Sequence, residues 1–274
     1  MIGAFVIAFR EVIEAGLIVG IVMAATRGMP GSRRWIALGV AAGLAGAALL
    51  ALFAESVSDA FDGTGQDILN AGVLVVAVLM LVWHNTWMSR HGRELAGDLR
   101  AAGDAVRAGE RRAAALAVVV GAAILREGAE LVLFLYGLVA SGASGADLQI
   151  GALAGVAAGA AVSAVSYFGL AAIPTRYVFS VTSALIVLLA AGLAAQAAQF
   201  LANAGLVTVL GQTLWNTAAI LPEASWPGRV LHALVGYTDR PTALQGATYL
   251  ATVLVMLALM QWSATGRPRA LRTA

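Results

Sequence analysis

The sequence predicts an all-α, polytopic membrane protein with seven transmembrane helices, arranged as a 3+3 inverted repeat plus one C-terminal helix, N-terminus outside and C-terminus inside. Three observations carry that expectation. Of 274 residues, 60% are hydrophobic and only 12% charged, far from the balance of a soluble domain. Apolar windows of about 20 residues recur, each long enough for a hydrocarbon core of about 30 Å, and their Ala, Leu, Val and Gly runs lack the alternation of barrel strands. The pentad Arg10-Glu11-Val12-Ile13-Glu14 returns 116 positions later as Arg126-Glu127-Gly128-Ala129-Glu130, again within apolar sequence.

Span 1 covers about Gly3 to Ala25, and its three charges interrupt what would be the apolar core of a cleavable signal peptide. A turn rich in Gly, Pro and Arg (Arg27 to Arg34) leads to span 2, Trp35 to Ala54. An acidic connection (Glu55, Asp59, Asp62, Asp67) precedes span 3, Ile68 to Met88, whose Trp83 and Trp87 suit an interfacial belt. Residues 89–112 interleave six arginines with four acids and read as an amphipathic surface helix. Span 4, within 113–140, holds the second pentad. In span 5, Leu148 to Ile173, Gly151, Gly155, Gly159 and Ser163 recur every four positions and allow close helix contact. Pro174 breaks the chain before span 6, Tyr177 to Leu201, and a long connection, 203–242, precedes span 7 at 243–263. The whole reads as one transmembrane domain: repeat one at 1–88, linker 89–112, repeat two at 113–202, then the outer connection and the last span.

Arginine placement sets the expected orientation. Arg27, Arg33 and Arg34, the cluster from Arg90 to Arg112, Arg176, and Arg267, Arg269 and Arg272 all fall on one side, cytoplasmic by the positive-inside rule. Spread over loops in this way, the basic residues predict topology rather than nucleic-acid binding. Spans 1 and 4 then run antiparallel, and inverted repeats of this kind put a substrate site near mid-membrane between the halves. The chain has no cysteine, which excludes disulfides, iron–sulfur clusters and thiolate metal sites.

A charge at the centre of a membrane helix costs about 2.5–3.5 kcal/mol on the insertion scale, so two helices carrying three each need a reason to keep them. Helical spacing puts Glu11 with Glu14, and Glu127 with Glu130, on shared faces, with Arg10 and Arg126 in reach as counter-charges. Each pentad has one carboxylate in excess, and four carboxylates converging from two helices suit a hard or borderline cation such as iron, manganese or calcium. A structural salt bridge explains one pentad, but two equivalent copies point to a shared site.

These pentads, in a seven-span, cysteine-free chain, resemble the high-affinity iron permease family, the oxidase-dependent iron transporters. The likeness continues through Leu188 to Gln196, Leu214-Trp215-Asn216, Leu221-Pro222-Glu223, Arg229 to Leu234, Gly236-Tyr237 and Arg240-Pro241, so it covers essentially the whole chain. The resemblance implies import of ferric or ferrous iron across the cytoplasmic membrane, with Glu11, Glu14, Glu127 and Glu130 as metal residues and Arg10 and Arg126 as their partners. It also implies an extracytoplasmic iron oxidase or iron-delivery protein, expected on a separate polypeptide, and no permanently bound cofactor.

Weaker candidates remain. Gln196 and Gln199 are possible pathway residues or helix-to-helix hydrogen bonders. His84 and His232 read as interfacial histidines near span ends, the methionines as packing, the acidic 55–67 loop as a solvated loop or cation attractor, and Glu223 and Asp239 as groups that receive metal from a partner. Rival functions are transport of manganese, lead or another cation, and an intramembrane lipid-phosphate hydrolase suggested by Pro30-Gly31-Ser32-Arg33. No HExxH or GxSxG sequence supports hydrolysis.

Overall fold

A computed structural model describes residues 1–60, 66–168 and 175–265 of the chain. Asp62, Pro174, Arg267, Arg269 and Arg272, and the side chains of Glu55, Asp59 and Arg176, lie outside the described residues. The helices are α1 (Ile2–Ala25), α2 (Ser32–Ala60), α3 (Gln66–Arg107), α4 (Ala114–Ala140), α5 (Gly145–Tyr167), α6 (Thr175–Asn203), α7 (Trp226–Val235) and α8 (Ala243–Thr265). Five contain a stretch long and apolar enough to cross a membrane: Ser32–Phe53, Gln66–Met88, Gly145–Tyr167, Ser180–Asn203 and Ala243–Trp262. This is a polytopic membrane protein. The helices α1 and α4, of 24 and 27 residues, have the length too but carry the charged pentads.

Two long interfaces dominate: α1 packs along α5, and α2 along α4. Glycine sets both distances. A Cβ on Gly39 of α2 would sit 2.7 Å from the Ala117 carbonyl oxygen of α4, and one on Gly43 would sit 2.7 Å from Cβ of Ile124. On the other interface, a Cβ on Gly159 of α5 would lie 2.9 Å from the Phe9 carbonyl oxygen of α1. Close backbone approach through small residues is how membrane helices associate where apolar burial supplies no driving force. The helices α3 and α6 pack together beside α1 and α4, and α8 covers α6 and α3.

The interior is layered. At one end Ala4 and Ile7 of α1, Leu74, Val78 and Leu81 of α3, and Phe134 and Leu138 of α4 join α6 in an apolar cluster. At the other, Ile18 and Val22, then Leu99 and Val106, then Leu116, Val120 and Ile124 form a second. Along each of α1, α3 and α4 the order is apolar, polar, apolar, so the polar layer between the clusters is closed off above and below.

Two expectations are corrected. The segment 89–112 does not form a separate surface helix: α3 runs unbroken to Arg107, because its apolar stripe through Leu95, Leu99 and Val106 packs onto the ends of α1 and α4. The 203–242 connection also contains a helix, α7, whose N-terminus is capped by the Ser225 hydroxyl, which accepts from the Gly228 N–H at 3.1 Å. Gly236, at φ 67°, ends α7 against Gly192 of α6, a contact that leaves no room for a side chain on either residue. Tyr237 then fastens the connection, donating to the Leu221 carbonyl at 2.8 Å and pairing with the Thr217 hydroxyl at 2.6 Å.

Gly39→Ala is expected to cost about 1–3 kcal/mol through overpacking, seen as a lowered melting temperature in detergent. Gly72→Ala is the control: on α3 an added Cβ meets nothing within 4 Å. That exposed helical position should be neutral or stabilised by about 0.5–1 kcal/mol.

Candidate metal centre

The polar layer is built by three helices. Met1 at the start of α1 and Ser141 at the end of α4 line the same cavity, so the two pentad helices run in opposite directions. Their charged turns meet midway. Arg10, Glu11, Glu14, Glu127, Glu130 and His84 of α3 are each no more than 3% exposed. Uncompensated charge at such depth is costly, so each partner matters.

The arginines take the fourth residue on, as helical spacing requires. Arg10 Nε lies 2.9 Å from Glu14 Oε1, and Arg126 Nε donates to Glu130 Oε1 at 3.0 Å. The two pentads differ in access. Arg10 is sealed, whereas Arg126 is 31% exposed and lies with its guanidinium 4.5 Å over the Trp87 ring. The Trp87 face thus serves the pentad arginine.

Glu11 and Glu127 lack the close guanidinium that Glu14 and Glu130 have among the described residues. Both oxygens of Glu127 are buried without a hydrogen-bond partner among the described residues, and so are those of Glu11, whose nearest guanidinium nitrogen is 3.9 Å away. Four glutamate side chains thus share the layer with two guanidiniums and the His84 imidazole. Orphaned acceptors in a sealed layer are costly unless something positive visits them.

Histidine 84 occupies the centre. Its Nε2 lies 3.3 Å from Glu14 Oε2, and its Nδ1 contacts Glu130 Oε2, so one imidazole touches both pentads. One ligand atom each from Glu11, His84, Glu127 and Glu130 falls within 4.8 Å of all the others. Metal–ligand bonds of about 2.0–2.2 Å put tetrahedral ligands about 3.3–3.6 Å apart, so this cluster needs to contract by about an ångström at its widest to hold an ion. Glu14 stands just outside that group, held by Arg10 and His84.

The expectation that His84 is an interfacial histidine is therefore corrected: it is fully buried, because α3 passes between the pentad helices at that level. The available signal was the polar pair His84-Asn85 within an apolar span. Asn85, also buried, donates to Met260 Sδ of α8 at 3.5 Å. His232 also leaves its expected place, sitting on α7 with its ring 3.2 Å from Glu223. Burial and neighbouring groups act on it in opposite directions. The hydrogen bond to Glu223 is the larger effect and raises its pKa above the ordinary 6.5.

Gln196 and Gln199 are not part of the central cluster. Gln196 donates to the Ser141 carbonyl at 3.4 Å and lines a cavity of about 630 Å³ together with Asp147, Glu223, His232 and Asp239. Gln199 donates to Asn203 on its own helix at 2.9 Å. At the opposite end, the Ser32 hydroxyl in the Pro30–Arg33 turn is used locally, donating to the Met29 carbonyl at 3.0 Å.

Comparison with known proteins gives a family match along nearly the whole chain. Residues 1–266 match the family described as Iron permease FTR1 family. The chain is 31% identical over 263 residues to the ferrous iron permease EfeU of Escherichia coli O6:H1, covering 93% of this chain and 94% of that protein. It is 30% identical over 260 residues to the ferrous iron permease EfeU of Yersinia pestis, covering 93% and 91%. The K12 strain of Escherichia coli has a counterpart, also 31% identical, that carries the word inactive in its name. No solved structure matches significantly. A match across nearly the whole chain, including both charged helices, establishes that this protein belongs to the iron permease FTR1 family.

Proposed function

We propose that the protein imports iron across the cytoplasmic membrane through the carboxylate layer, by way of Glu11, Glu127 and Glu130, with Glu14, Arg10 and Arg126 setting the charge around them. One observation carries this reading: the buried, unpartnered oxygens of Glu11 and Glu127 converge with Glu130 in a sealed layer of excess negative charge. Family membership supports iron as the cargo.

Seven spans with a 3+3 inverted repeat account for the interfaces. If α1–α3 and α4–α6 are equivalent halves, the α1/α5 and α4/α2 contacts become the same contact exchanged between them. Under the 116-residue offset, Gly39 corresponds to Gly155 and Gly43 to Gly159, each at one of the two close approaches. A site on the axis relating two such halves can open to either side by rocking one against the other.

The cavity lined by Asp147, Glu223 and Asp239 is the outer vestibule in this reading. Acidic groups there would draw a cation toward the layer, or take it from an extracytoplasmic oxidase or delivery protein. The basic turn at Arg27, Arg33 and Arg34 lies at the opposite end, facing the cytoplasm, which gives the N-out, C-in orientation.

In proteoliposomes, Glu127→Gln should reduce iron influx about tenfold or more while the protein still inserts and melts normally, since no ion pair is broken; unchanged influx would remove the site. Glu14→Ala should behave differently, losing about 3–5 kcal/mol of stability because Arg10 loses its close partner and is left buried with only Glu11, 3.9 Å away. In the vestibule, the raised His232 pKa means its pairing with Glu223 is complete below pH 6.5 and is lost as pH climbs through the higher folded value. Protection factors over 222–239, corrected for base-catalysed intrinsic exchange, should therefore fall at alkaline pH, and Glu223→Gln should flatten that dependence.

A further inference from the structure

The two pentads are not used alike, and the difference points to the ligand set. Had both second glutamates faced the centre, Glu14 and Glu130 would be equivalent. Arg10 and Arg126 each hold one oxygen of these two glutamates, but only Glu130 shares the cluster with Glu11 and Glu127, while Glu14 Oε2 faces His84 Nε2. The imidazole lies between: Nε2 toward Glu14, Nδ1 toward Glu130 and the cluster.

A neutral imidazole carries one proton. With Nε2–H donated to Glu14, Nδ1 has a lone pair directed at the carboxylates, and a lone pair against a carboxylate oxygen is repulsive unless a proton or a metal ion lies between them. Metal-bound histidines are oriented in this way, the second ring nitrogen donating to a carboxylate that fixes the tautomer and raises the ligand's basicity. Resting on the iron-import reading, we propose that His84 Nδ1 is a direct ligand of the transported ion together with Glu11, Glu127 and Glu130, and that Glu14 orients this histidine instead of binding the ion.

One nitrogen among three carboxylates changes which ions fit. Carboxylate-only sites favour magnesium, calcium and manganese, whereas imidazole suits iron, zinc, copper and nickel. The site so assembled selects a borderline divalent transition ion, ferrous iron included, over hard cations. The asymmetry between the halves has the same origin: only α3 supplies a histidine, and the 116-residue offset from His84 leads to Phe200 on α6.

The test is competition for iron influx in proteoliposomes. Wild-type influx should be suppressed by Co2+ and Zn2+ at concentrations about a hundredfold below those of Ca2+ and Mg2+, and His84→Glu should narrow that gap by about tenfold or more. A ranking unchanged in His84→Glu overturns the histidine assignment, whereas influx that survives Glu127→Gln overturns the carboxylate site itself. Should His84→Glu fail to insert, a second measurement uses the His91→Gln/His232→Gln protein, in which His84 is the sole remaining histidine. Loaded with Cu2+ that ferrous iron displaces, it should show electron spin-echo modulation from the remote nitrogen of a bound imidazole. Its absence overturns the proposal.

Discussion

The structure depends on buried charge that its own residues do not neutralise. Two guanidiniums face four carboxylates in a layer no more than 3% exposed apart from Arg126. Water does not screen them there, so each group is either paired within the protein or satisfied by something that arrives. Arg10 and Arg126 each hold the glutamate one turn on, which leaves Glu11 and Glu127 unmatched. Complete neutralisation by the protein would leave nothing to attract a cation. A layer with no arginine would hold an ion too tightly to release it, or would not insert.

The rest of the fold keeps that layer closed and narrow. The apolar clusters on either side are made by the same three helices that carry the charges, so packing above and below fixes the level at which the carboxylates meet. Glycine contacts of α2 with α4 and of α5 with α1 hold the charged helices from outside. The long α3 supplies a buried histidine at mid-height and, further along, Leu99 and Val106 that seal the inner cluster. Positioning and sealing are therefore done by one continuous helix. A break at the membrane surface would separate them.

Access to the layer differs between its two sides. Arg126 is partly exposed and stacked on Trp87, while Arg10 is enclosed. At the end where α1 begins, the connection ordered around Tyr237 brings Glu223, His232 and Asp239 to the cavity shared with Gln196. Residues that carry no motif of their own thus acquire a common setting through one tyrosine and one glycine-to-glycine contact.

Sequence by itself determined the class, most of the long helices and the four glutamates, because apolar length and repeated charge in lipid are local properties with few explanations. Five of the spans appear in the structure within a few residues of where apolar runs put them, the last at Ala243–Trp262 as expected. What only the tertiary structure decided is how the charges divide. His84 lies 70 residues beyond Glu14 and 46 before Glu130, on a helix with no pentad, so no spacing rule links them. Nor does periodicity distinguish an amphipathic stripe facing a membrane surface from one that packs on its own bundle, and so the continuation of α3 has the sequence pattern of a surface helix. Both outcomes rest on which helix passes beside which, and that is set by close packing across the whole bundle.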